Sequence, residues 1–173
     1  MHELISDIVR DAAEAAGLPE DHVFDQSKKD NLTQPRPRIE LQFLPERLVR
    51  TGRILASTRT STEQRTKREL YEVELTVLAN VLAEDEQWLG DFCYDFVAAL
   101  PRGINDKRGN WVKIRVMKAE FGRKAPPRVG TTTIQVFTKV SQMLSLTCTY
   151  RITRTDVVDL IRTFTIKEPI MGG

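Results

Sequence analysis

The chain has 173 residues, 40% of them hydrophobic and 29% charged, with 26 Lys and Arg against 24 Asp and Glu. That length suits one domain with a substantial core, and a net charge of +2 is too small for a dedicated nucleic-acid binder. No run of about 18 apolar residues is present to cross a membrane as a helix, and the opening MHELISDIVRDAAEAAG carries acids where a secretory signal would be apolar.

Leu4, Ile5, Ile8, Val9, Ala12 and Ala16 recur at helical spacing, leaving Asp7, Arg10, Asp11 and Glu14 to water. Gly17 followed by Leu18-Pro19 predicts the end of this first helix. The polar stretch from Glu20 to Pro37, with Pro35 and Pro37, reads as a loop. Arg38 to Leu44 alternates Ile39, Leu41 and Phe43 with Arg38, Glu40 and Gln42, which predicts a strand buried on one face.

Pro45 ends that strand. Ile54, Leu55 and Ala56 then seed one arm of a hairpin whose other arm is Glu69 to Leu82, with STRTSTEQRTKR between them as a solvated, mobile tip. In the second arm Tyr71, Val73, Leu75 and Val77 alternate with Glu72, Glu74 and Thr76, and from Val77 to Leu82 both faces turn apolar. Trp88, Leu89, Phe92, Cys93, Phe96, Val97 and Leu100 then give a helix that starts in an acidic turn and stops at Pro101.

Ile104 to Asn110 reads as a polar turn, and Trp111 to Phe121 as an alternating strand in which Trp111 packs. Arg123 to Gly130 (RKAPPRVG) marks a flexible connector. Thr131 to Val140 is β-branched and alternating, and Leu144, Leu146, Cys148, Tyr150 and Ile152 form the cleanest period-2 run of all. Asp156 to Ile166 is ambiguous between a helical turn and a strand, and residues 167–173 form a tail. Strands grouped in blocks between two helices predict a single α+β domain over residues 1–173. Its mixed or largely antiparallel sheet, with a long β-hairpin, packs against an N-terminal and a central helix. Residues 47–68 and 123–130 are its mobile segments.

The inventory of reactive groups is thin. His2 is terminal and His22 lies in a loop, so neither a Ser-His nor a Cys-His pair is indicated. Cys93 and Cys148 fall on core faces, read as reduced thiols, and neither Cys nor His shows metal-ligand spacing. No phosphate-cradling G-x-x-x-x-G-K-[ST] or G-x-G-x-x-G run occurs. Glu84, Asp85 and Glu86 open a helix, where acids complement the dipole without any metal. No catalytic residue, cofactor or metal site is expected.

The charge is unevenly spread. Arg47, Arg50, Arg53, Arg59, Arg65, Lys67 and Arg68 crowd the hairpin region, and a second basic region spans Arg102 to Arg128. Guanidinium forks suit carboxylates and phosphates, so the tip is either a solvated hairpin end or a contact for an acidic surface or a nucleic-acid backbone. It has no aromatics for stacking single strands. Arg59, Arg65, Lys67 and Arg68 are the candidate interface residues, and the exposed edge of a long arm offers backbone pairing to a neighbouring subunit.

The helix over residues 3–16, the strand PRIELQF, the hairpin arm RELYEVELTVLANV, the helix DEQWLGDFCYDFVAAL and the closing strand LSLTCTYRIT together resemble the tail terminator or tail completion proteins of long-tailed bacteriophages and prophages. The likeness lies in arrangement and texture over most of the chain, without a residue motif. It implies a non-enzymatic virion protein that assembles with itself as a ring, typically a hexamer, on the head-proximal end of the tail tube. There it would stop tube growth and present a docking surface for the head. The implied partners are further copies of the chain, the tail-tube protein and a head–tail connector protein. The implied location is the virion tail, after assembly in the host bacterial cytoplasm, with no membrane role. A nucleic-acid-binding module using the basic loops and another head–tail connector or adaptor are the alternatives, and contact of the basic hairpin with DNA stays open.

Overall fold

A computed structural model describes residues 1–25, 35–123, 128–129, 132–133 and 140–160. It shows the expected α+β class: two helices and an eight-stranded mixed sheet, with a separate two-stranded piece. The chain sorts into two compact units, Met1–Arg47 with Val73–Tyr150, and Leu48–Glu72 with the described part of Arg151–Gly173.

In the first unit, α1 (His2–Ala15) buries Ile5, Ile8, Val9, Ala12 and Ala13, the predicted stripe shifted slightly at its edges. Its end is set by Gly17, whose φ of +93° only glycine adopts without strain. Gly17 N donates to Glu14 O at 2.9 Å and Leu18 N to Ala13 O at 2.9 Å, a Schellman closure with Leu18 buried behind it. The loop expected from Glu20 to Pro37 contains a short strand, β1 (Val23–Asp25), parallel to β2 (Arg38–Phe43). Three residues are too few to show a period. His22 links the two, with Nδ1 2.7 Å from Pro37 O and its own carbonyl accepting from Ile39 N at 2.9 Å.

β2 runs antiparallel to the distal half of β5 (Glu63–Ala83), pairing Ile39 with Val81, Leu41 with Ala79 and Phe43 with Val77. Val73, Leu75, Val77, Ala79, Val81 and Ala83 all point to the buried face. β10 (Val140–Asp159) lies on the other side of β5 and contributes Leu144, Leu146 and Cys148. β7 (Trp111–Arg123) pairs antiparallel with β10 and adds Val112 and Ile114; a shift of register between Ser145 and Leu146 leaves Met117 as the extra residue of a bulge. β6 (Gly103–Asn105) closes this edge inside what the sequence suggests is a polar turn.

The central helix α2 (Glu86–Ala99) turns Leu89, Phe92, Cys93 and Phe96 onto the same core as α1 and the sheet. Fully burying one such side chain is worth about 1.5–3 kcal/mol. Asp85 caps it, its carboxylate accepting from Trp88 N at 2.7 Å. Val97, expected on the buried stripe, is 38% exposed.

The second unit is built of strands. β3 (Arg47–Arg50), continuing from the first unit, and β4 (Ile54–Arg59) both pair with β5, and the ladder of β4 runs from Ile54 opposite Arg68 to Arg59 opposite Gln64. The expected long tip is therefore mostly ladder. Only Thr60–Thr62 turn, held by Thr60 N donating to Glu63 O at 2.9 Å and Glu63 N to Thr60 Oγ1 at 3.1 Å. Polar residues on both faces conceal strand from a hydrophobicity pattern, although backbone pairing needs no such pattern. β10 stays extended through Asp159, settling the first part of the ambiguous Asp156–Ile166 segment as strand. In the expected connector, β8 (Arg128–Val129) pairs with β9 (Thr132–Thr133). Residues 26–34 of the expected loop, and 124–127, 130–131, 134–139 and 161–173, the 167–173 tail included, lie outside the described residues.

Candidate interaction surface

Arg59, Arg65, Lys67 and Arg68 all lie on the β4–β5 hairpin, but alternation divides them. Arg65 and Lys67 share the face that carries Glu63 and Glu69, whereas Arg68 and Arg59 (opposite Gln64) share the other. Two are already engaged. Arg65 Nε lies 2.7 Å from Glu63 Oε1, and Arg68 Nε lies 3.7 Å from Asp156 Oδ2. Asp156 is also held by Arg154 at 2.7 Å. Arg50, Arg53 and Arg59 have no carboxylate partner among the described residues, and all three are exposed.

Beside these free cations stand three large apolar side chains, Leu48, Val49 and Ile54, each about half exposed. β3 and β4 pair only with β5 among the described residues, so their outer edge presents unpaired backbone groups. Apolar and cationic groups on an open edge suit a protein partner better than a phosphate backbone alone. The residues that sequence reasoning missed are thus the hydrophobic ones. A short Leu-Val pair between arginines is a weak signal.

The helices carry the opposite charge. Residues 1–21 hold Glu3, Asp7, Asp11, Glu14, Glu20 and Asp21 against Arg10 alone. Residues 84–101 hold Glu84, Asp85, Glu86, Asp91 and Asp95 and no basic residue. On α2, Tyr94 is 78% exposed, the most open large hydrophobic side chain in the described chain.

Other groups are spoken for locally. Trp111 does not sink into the core: it is 55% exposed and lies over Gly103, where an added Cβ would meet its ring at 2.6 Å. In the second basic region Lys118 pairs with Glu120. His2 stacks on Phe43 at 4.5 Å, and its Nε2 is 3.9 Å from Glu46, which also accepts from the Tyr150 hydroxyl at 2.9 Å. Burial, reinforced by that carboxylate, pushes the Tyr150 phenol well above its ordinary range. Burial alone pushes the thiols of Cys93 and Cys148 up to about 11, so both stay protonated and unreactive at neutral pH.

The outer face of the sheet in the first unit has a depression of about 350 Å³ lined by Glu40, Gln42, Leu78, Asn80, Phe121 and Met143. Its Ser141 hydroxyl is turned to Gly122 O at 3.5 Å, and no histidine is among the lining residues. Among the described residues no three His, Cys, Asp or Glu side chains gather as a metal-ligating set, and no helix is long and apolar enough to cross a membrane. No protein-family model matches the chain, and no curated protein sequence matches it.

Proposed function

We propose that this chain is a structural assembly protein that works through its interfaces, without catalysing a reaction, in the role of the phage tail terminators whose arrangement its sequence resembles. In that role copies of the chain form a ring, typically hexameric, on the head-proximal end of the tail tube, stop tube growth and receive the head–tail connector. The virion tail is its destination.

The observation that carries this reading is the open β3–β4 edge, where Leu48, Val49 and Ile54 stand half-exposed beside unpaired Arg50, Arg53 and Arg59. Half-exposed aliphatic side chains along an unpaired strand edge offer a partner apolar area to cover and backbone groups to pair. The α+β architecture with a long hairpin agrees with the resemblance.

Co-sedimentation of the purified chain with polymerised tail tubes, followed by negative-stain imaging of tube ends, tests the reading. Binding restricted to one tube end, with capped tubes of arrested length, is the expected result. A chain that neither binds tubes nor forms rings at any concentration removes it. The nucleic-acid alternative draws on the same free cations, but Arg65 and Arg68 already face carboxylates. It requires retention on DNA that falls steeply with salt. No retention at low salt eliminates it.

A further inference from the structure

We infer that the outer face of α2 is the acceptor for the basic β3–β4 edge of a second copy of this chain, so that copies join head to tail through two different surfaces. This rests on the assembly reading above and names the two faces that would meet.

Three features of α2 single out its outer face. Tyr94 stands almost fully in water, and its neighbours one turn away, Gly90 and Ala98, are too small to cover it. Val97 extends the apolar surface one turn on. Asp91 and Asp95 flank the ring, both exposed, and no basic residue lies anywhere from Glu84 to Pro101. An exposed tyrosine framed by acids is the composition of an interface anchor with a charged rim. α1 is equally acidic, but its exposed face carries no large apolar side chain.

The hairpin edge supplies the complement: half-exposed aliphatic groups at Leu48, Val49 and Ile54, with Arg50 and Arg53 free to meet carboxylates. Acidic α2 repels a second α2 and the basic edge repels a second basic edge, so the contact these charges favour joins α2 of one copy to the β3–β4 edge of another.

Charge reversal tests the contact because it can be rescued. Asp91→Lys/Asp95→Lys reverses the helix face, and Arg50→Glu/Arg53→Glu reverses the edge; all four positions are exposed, and circular dichroism and melting check that each variant folds. Sedimentation velocity should show wild-type chain associating at low salt and dissociating as salt rises. Each reversed variant alone should lose the heavier species, and an equimolar mixture of the two should regain it. Tyr94→Ala should weaken association about tenfold or more. A wild-type chain that stays monomeric at every salt and concentration overturns the inference, as do folded variants that associate unaltered or a mixture that stays monomeric. Tube binding is scored separately. Rescue without tube binding keeps this contact and removes the tail-end role. Tube capping by both reversed variants keeps the role and removes this contact.

Discussion

Arg151 Nε sits 3.1 Å from Glu69 Oε2, the carboxylate being 3% exposed and the arginine side chain 51% exposed. Glu69 is the one buried charged residue among those described, and its Oε2 makes a charge contact without a directed hydrogen bond. Its backbone is fixed independently, with Glu69 N donating to Arg53 O at 2.7 Å and Thr51 Oγ1 donating to Glu69 O at 3.2 Å. The arginine therefore serves to neutralise a carboxylate that the strand has placed out of water.

Removing one member of such a pair should cost more than removing both, because the survivor is left uncompensated. Arg151→Met is expected to lower unfolding stability by about 2–3 kcal/mol, at the low end for a buried pair because the arginine is half in solvent. Glu69→Met combined with Arg151→Met is expected to fall within about 1 kcal/mol of wild type. Urea titration of the three chains decides it. Equal costs for the single and double variants would show that Arg151 contributes packing and not charge.

Two glycines should respond with opposite sign to the same added methyl group. At Gly103 a Cβ would lie 2.6 Å from the Trp111 ring and 2.6 Å from the Val112 carbonyl oxygen. The ring is exposed and can swing, but the carbonyl belongs to the paired strand and cannot, so Gly103→Ala should destabilise by about 1–3 kcal/mol. Gly90 lies inside α2 with nothing within 4 Å of the added atom. Gly90→Ala should stabilise by about 0.5–1 kcal/mol through helix propensity. Thermal melts of the two variants read both signs at once.

These contrasts also explain how far the sequence could be read. Val73 to Val77 and Leu144 to Cys148 announce themselves because one face is buried and the other is not. Gln64, Arg65, Thr66 and Lys67 sit in an equally regular ladder, yet both faces are polar and the period disappears. β1 and β6 are three residues each, shorter than any period can register. At the surface, charge alone brought out Arg59, Arg65, Lys67 and Arg68. Which of them are neutralised depends on partners that composition cannot locate, since Asp156 reaches Arg68 only because β10 returns beside β5. Tyr94 was legible in principle: it falls off the buried stripe of α2, between two aspartates.

Amide hydrogen exchange should separate a ladder from a solvated tip. With β4 paired from Ile54 to Arg59, protection is expected to continue down β5 from Arg68 to Gln64 and to drop at the Thr60–Thr62 turn. On the outer strand β4, amides should alternate between slow and fast, since only one edge is paired. Uniformly fast exchange from Ser57 to Arg68 would mean that this part of the hairpin is open in solution.

Alkaline titration should reveal the buried thiols. Burial raises Cys93 and Cys148 from 9.0 to about 11. Between those values the unfolded chain has lost protons that the folded chain keeps, so stability must fall as pH rises. The contribution is complete below about pH 9 and is lost as pH rises through about 11, at up to about 1.4 kcal/mol per pH unit for each thiol. Tyr150, raised by burial and by Glu46, adds loss of the same sign above its ordinary range. Denaturant titrations at intervals from pH 8 to pH 11, with reductant present, measure the slope. Cys93→Ala/Cys148→Ala should start lower, from the lost packing, and decline less steeply over that window. A double variant with the wild-type slope would place the alkaline sensitivity on Tyr150 instead, where Tyr150→Phe would then flatten the profile.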